Sequence, residues 1–186
     1  MAFKIHLLRS DNQRLPADEL ISKDELTKAT IMIEHFHHET HDGHAFTANR
    51  TVTHGAVASP NILIVTPNSS VRAHFFLQAV SDAPMTLTLY EEADYAGGTS
   101  LPSYNRDRNN KMESKLTLTY DAADSGGGKG TAIWVFSGGA NKEVVMSNRE
   151  HMEFILIQNT RYLIETVGTN GDIITILTDW YEHEET

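Results

Sequence analysis

The chain contains no cysteine. Disulfides, thiolate metal centres and a cysteine nucleophile are therefore excluded, and the composition suits synthesis in a reducing cytoplasm. Basic residues are scarce: 15 lysines and arginines stand against 25 aspartates and glutamates, a formal net charge of −10. Nucleic-acid binding needs a basic stripe that displaces counterions from phosphates. The one dense basic group, Arg106, Arg108 and Lys111, is too small to form one. Long apolar runs are also missing, and none approaches the ~20 residues of a membrane helix. Met1–Leu8 has one lysine and a short apolar run, which is not the form of a secretory signal. The expectation is a soluble protein that binds neither nucleic acid nor membrane.

Catalytic signatures are lacking too. There is no Gly-x-Ser-x-Gly and no His-Glu-x-x-His. Glu91 with Glu92, and Glu182 with Glu184 and Glu185, are carboxylate groupings. They read as solvated charge at strand exits and a terminus, whereas a glycosidase needs two carboxyls across a cleft. Gly126-Gly127-Gly128-Lys129-Gly130-Thr131 looks superficially like a phosphate loop. It lacks the Gly-Lys-Ser/Thr ending, and a strand-like run, Ile133-Trp134-Val135-Phe136, follows instead of a helix. A mobile glycine loop is the better reading. No enzyme activity and no cofactor are expected.

What is present is period-two patterning. Met1–Thr30 stands apart as an N-terminal arm with short helical turns. Pro16-Ala17-Asp18-Glu19 reads as a helix start, and Ser22-Lys23-Asp24-Glu25 as a capping box. From Ile31 the pattern is that of strands. Val71, Ala73, Phe75, Leu77 and Ala79 alternate with polar neighbours, as do Met85, Leu87 and Leu89, and Leu116, Leu118 and Tyr120. Ile62–Val65 is a continuous apolar run, which suits a strand covered on both faces. Further strands are expected at 132–137, 152–157, 162–167 and 173–181. Thr169-Asn170-Gly171-Asp172 reads as a hairpin turn. Eight or nine short strands with turn-rich connections predict an all-β fold. We expect a single antiparallel β-sandwich over residues 31–186, jelly-roll-like, with residues 125–130 and 137–140 as loop tips.

Two groups of residues are candidates for a site. His35, His37, His38, His41 and His44 are densely spaced. On a strand His35 and His37 share a face and, with His41 across a turn, can grip a metal such as zinc. The preferred reading is a strand entering the sandwich, with Asp42-Gly43 as a tight turn and histidines used in packing or at a neighbouring subunit. The second group is Asn105-Arg106-Asp107-Arg108-Asn109. Arginine's planar fork suits carboxylates at interfaces. The loop reads either as a partner contact through Asn105, Arg106, Arg108 and Asn109, or as an internal clamp on Glu91, Glu92 or Asp94.

Six motifs occur in order: His37–Phe46; Leu89-Tyr90-Glu91; Gly97-Gly98-Thr99; Asn105-Arg106-Asp107-Arg108; Asn159-Thr160-Arg161-Tyr162-Leu163; and Trp180-Tyr181-Glu182. Their order and spacing, over residues 31–184, resemble a family of small structural proteins of tailed-bacteriophage virions. The resemblance implies a capsid decoration, or cement, protein on the virion exterior, made in the bacterial host cytoplasm. It also implies the major capsid protein and other copies of the chain as partners. The rival readings are a tail, baseplate or fibre component, and a carbohydrate-binding sandwich. The last would use exposed aromatics, with Tyr95, Tyr104, Trp134 and Trp180 as candidates.

Overall fold

The computed structural model describes residues 35–55, 60–138 and 153–184. The arm Met1–Thr30, with its expected helix start and capping box, lies outside them; of the loop tip expected at 137–140, Ser137 and Gly138 belong instead to a strand and the other two residues lie outside the described ones. The chain divides into two compact units, Met1–His38 and Glu39–Thr186. The second holds all the described strands.

These are β1 (Ala45–Thr53), β2 (Asn61–Val65), β3 (Val71–Ser81), β4 (Met85–Glu91), β5 (Tyr95–Ala96), β6 (Thr99–Ser100), β7 (Tyr104–Asn105), β8 (Thr117–Tyr120), β9 (Ala123–Asp124), β10 (Thr131–Gly138), β11 (Glu153–Ile155), β12 (Arg161–Gly168) and β13 (Ile173–Glu184). They form a five-stranded sheet, β11-β3-β13-β1-β7, and a six-stranded sheet, β10-β4-β12-β2-β8-β6. Every pairing is antiparallel. The all-β sandwich expected from the alternation is what forms.

Period two decides which side chains enter the core. From the five-stranded sheet come Phe46 and Ala48 of β1, Phe75, Leu77 and Ala79 of β3, and Ile174, Ile176 and Trp180 of β13. From the other sheet come Ile62 and Ile64, Leu87 and Leu89, Leu118, Tyr162 and Ile164. Trp180 lies between Phe46 and Phe75, with ring centroids 5.9 and 6.1 Å away. Arg50 reaches from β1 toward the other sheet. Its guanidinium donates to Asn61 O at 2.8 Å and Asp121 Oδ1 at 2.7 Å, and lies over the Tyr120 ring.

The chain passes between sheets at almost every step. In the series β1, β2, β3, β4, β10, β11, β12, β13, only β4 to β10 stays in one sheet. The long β4–β10 excursion supplies β5 to β9. Strands β6 and β8 extend one sheet and β7 the other, while β5 and β9 pair as a separate ribbon. Ala93, Tyr95 and Ala122 from this excursion cover Leu63 and Leu163 on the outward face of the six-stranded sheet. This second cover explains why Ile62, Leu63 and Ile64 are apolar without interruption. At Gly98 the chain needs positive φ, 87°, and a Cβ there would run into the Tyr120 carbonyl.

Two local expectations are corrected. Residues His35–His41 form a helix, α1, and not a strand. The segment is ambiguous because about two helical turns followed closely by a glycine leave too short a period to read. The helix stops in a Schellman motif. His44 N donates to Glu39 O at 2.9 Å, Gly43 N to Thr40 O at 3.1 Å, and Gly43 has φ 79°. Second, Asn170-Gly171 makes a turn but no hairpin, because β12 and β13 belong to different sheets. Asp172 closes the turn on Thr169, and Gly171 N donates to His54 O at 2.9 Å. The turn is thereby fastened to the end of β1. Turn chemistry specifies the reversal, not which sheet receives the next strand.

Leu87 and Ile164 are fully buried between the sheets. Leu87→Ala or Ile164→Ala should cost about 2–5 kcal/mol through lost transfer energy and a residual cavity. Val167→Ala, on an exposed residue of the same strand as Ile164, should cost under about 0.5 kcal/mol. Chemical denaturation of the three variants checks the pattern.

Candidate functional site: the loop from Tyr104 to Met112

Two successive anchors hold this loop. Asn105 ends β7, which pairs with Phe46 and Thr47 of β1. Its side chain is buried. Nδ2 donates to Gly43 O at 2.6 Å and to Met112 O at 3.3 Å, while Oδ1 accepts from Asp107 N at 2.9 Å. Asp107 and Asn110 repeat the short side-chain turn: Asn109 N donates to Asp107 Oδ1 at 2.9 Å and Met112 N to Asn110 Oδ1 at 2.8 Å. A Cβ on Gly43 would run into the Asn110 side chain, so the helix cap and the loop fit only with glycine there. The run of Asn and Asp residues is thus the loop's own scaffold.

The second anchor is Glu182. Its carboxylate is buried and accepts from Ser114 Oγ at 2.5 Å, Trp180 Nε1 at 2.9 Å, Lys115 N at 2.9 Å and Leu116 N at 3.3 Å. The expectation of solvated charge is therefore wrong for Glu182. The Trp180-Tyr181-Glu182 motif now has a physical account. Trp180 fills the core, Tyr181 faces the other side, and Glu182 returns inward to collect the amides that follow the loop.

The two arginines separate. The Arg106 guanidinium is 3.4 Å from Asp179 of β13, with both side chains mostly covered, and Arg106 N donates to Ala45 O. The internal clamp exists, but its partner is Asp179 and not Glu91, Glu92 or Asp94. Among those three, Glu91 accepts the Tyr162 hydroxyl proton at 2.8 Å, and Asp94 accepts Gly127 N at 2.9 Å. Arg108 is exposed, donates to Asn105 O at 3.3 Å and lies over the Tyr104 ring at 5.6 Å. Asn109 and Lys111 are exposed beside it, with Met112 45% and Tyr104 51% exposed.

The surface the loop presents is therefore Tyr104, Arg108, Asn109, Lys111 and Met112. Asn105 is withdrawn beneath it. Sequence reasoning missed Tyr104 as the ring under Arg108 and Met112 as an exposed residue of the same loop. Their signal was available: large apolar side chains flanking a run of turn-forming residues. Of the aromatics offered for stacking on sugar, Trp180 and Tyr95 are buried, Trp134 is packed against the core, and Tyr104 is exposed.

The histidines do not converge as the strand reading required. The strand on which His35 and His37 would share a face does not form, because the segment is helical, and His41 follows His37 by about one turn. Among the described residues no group of three or more histidines and acids is placed to hold a metal. His44 Nδ1 lies 3.2 Å from Glu39 Oε2, a contact that links the helix end to its exit.

The glycine loop is anchored by the protein's own acids. Asp124 Oδ1 accepts from Gly126 N at 2.7 Å and Gly128 N at 3.0 Å, and Asp94 takes Gly127 N. Three consecutive amides that resemble a phosphate cradle are thereby occupied. Beside them Lys129 Nζ pairs with the buried Glu165 at 2.7 Å.

No family model matches the chain, and no curated protein and no solved structure matches it.

Two tests follow from this geometry. Arg106→Ala should lower stability by up to about 1 kcal/mol, because it opens a partly covered pair, while Arg108→Ala should leave the melting temperature unchanged. Thermal melts of the two single variants separate the roles. The glycine loop should respond to acid. The amides of Gly126 and Gly128 hold the Asp124 carboxyl below its ordinary 3.8. A depressed folded pKa adds stability above the unfolded value and loses it as pH falls through the folded one. Corrected for intrinsic exchange, protection of the Gly126 and Gly128 amides should fall below that ordinary value. Protection should be flat above it.

Proposed function

We propose that this chain is a non-enzymatic structural protein of a tailed-phage virion. In this reading it decorates the mature head, bridges major capsid subunits and stabilises their lattice. The observation that carries the reading is the winding of the strands. Eight strands cross between two sheets at each step but one, in the orders β11-β3-β13-β1 and β10-β4-β12-β2. That winding supports the jelly-roll reading, an architecture found among viral capsid and lectin domains. It supports the resemblance carried by the six sequence motifs.

The fold suits such a role physically. Two anchors fix the Tyr104–Met112 loop, so little ordering entropy is lost when a partner docks. The exposed set pairs Tyr, Arg and Met, residue types enriched at the centres of protein interfaces. Arg108 and Lys111 form a small basic surface on a chain of net charge −10. Acidic groups on a capsid subunit are its natural complement. A protein that binds the mature lattice and not its precursor stabilises that lattice by mass action, and many copies add avidity. The carbohydrate-binding alternative draws less support, since one of its four proposed aromatics is exposed.

The test uses heads of the phage that encodes the chain, prepared without it. The wild-type chain should bind mature heads and raise the temperature at which they release DNA. Arg108→Ala with Lys111→Ala should weaken that binding, with the loss largest at low salt where the charges are least screened. Binding to tails and not to heads would replace the decoration role with a tail role. Binding that is independent of both cations would move the contact elsewhere on the molecule.

A further inference from the structure

Among the described residues the two sheets end in four edge strands, and three of them are short. β6 and β7 have two residues each, and β11 has three, including Glu153. Shortness and charge are the usual means by which a sheet edge is kept from pairing with another chain. β10 uses neither. It runs for eight residues, Thr131-Ala132-Ile133-Trp134-Val135-Phe136-Ser137-Gly138, without a charged side chain. Its one ladder partner among the described residues is β4.

We propose that β10 is a homotypic interface, where two copies of this chain pair antiparallel about a twofold axis and join their six-stranded sheets. The occupant follows from charge. Each copy carries a net charge of −10, so two copies repel over most of their surfaces. An uncharged strand is where like-charged copies can approach without placing acid against acid. A twofold contact is also self-complementary, which is the commonest way identical chains associate. The strand is already held for pairing. Trp134 and Phe136 turn inward and stack, with centroids 6.1 Å apart, and both pack on the core. On the opposite face Val135 is 57% exposed, and Val167, two strands inward, is 59% exposed. A register shift lies between Ala132 and Trp134, so the regular pairing segment is Trp134–Gly138. Pairing there sets each Val135 beside β10 side chains of the other copy and withdraws it from water.

This interface is separate from the Tyr104–Met112 loop. β7, which leads into that loop, lies at the far end of its sheet from β11. Failure of self-pairing would leave the capsid reading standing, and the reverse also holds.

The experiment is sedimentation equilibrium of the full chain over a wide concentration range. The wild type should be dimeric. Val135→Lys should sediment as a monomer with an unchanged circular dichroism spectrum, because the side chain is exposed in the single copy, and its melting temperature should lose the concentration dependence that dimerisation gives the wild type. Val135→Thr, which keeps a β-branched residue, should remain dimeric. Because the chain has no cysteine, single-cysteine variants give a clean second measurement. Val135→Cys should form an interchain disulfide on mild oxidation, and Tyr104→Cys should not. In the wild type, protection of the β10 amides should rise with concentration. A wild type that stays monomeric throughout, a dimer that survives Val135→Lys, or crosslinking through Tyr104→Cys in place of Val135→Cys would each overturn the proposal.

Discussion

The surface of this protein depends on one buried carboxylate. Glu182 leaves β13 pointing inward, where an uncompensated charge would be costly. It is compensated by two backbone amides, a serine hydroxyl and an indole N–H. Those donors belong to two places distant in sequence, Trp180 and Ser114–Leu116. Satisfying the charge therefore fixes the far end of the Tyr104–Met112 loop, while Asn105 fixes its near end. The loop gets its shape from polar groups that are hidden, and its exposed residues are free to serve as contact.

That division of labour explains which parts of the molecule were legible in the sequence. Strands β2, β3, β4, β10, β12 and β13 were visible because period-two alternation, or an unbroken apolar run under double cover, is a direct image of burial. The sandwich follows from them. What the pattern does not encode is partnership across long sequence separations. Arg106 and Asp179 are far apart in the chain, and Glu91 was a nearer acid that turned out to serve Tyr162. Likewise Glu182 looks like any charged residue near a chain's end until the amides above it are placed. Helix α1 was misread because its histidines suit either a strand or a short helix, and the deciding feature is the Schellman geometry at Gly43.

The candidate contact surface was half legible for the same reason. The Asn-Arg-Asp-Arg-Asn run marked the place, but side chains within it do opposite work. Asn105, Asp107 and Asn110 spend their side-chain oxygens on the loop's own backbone, and the Asn105 nitrogen ties the loop to Gly43. Arg106 turns to β13, and Arg108 stays outside against Tyr104. Only the fold distinguishes scaffold from surface here, since every residue type in the run is at home in both.

The position of β13 has a consequence for how the chain comes together. It is the last of the described strands in sequence, yet it lies in the middle of its sheet, between β3 and β1. During synthesis both neighbours must wait, each with an open hydrogen-bonding side, until residues 173–184 have emerged. The contacts that close the sheet join residues more than a hundred positions apart, such as Phe46 and Trp180. Such a topology folds slowly, and its intermediates expose strand edges. Truncation before β13 would therefore remove the centre of the domain and not a dispensable tail.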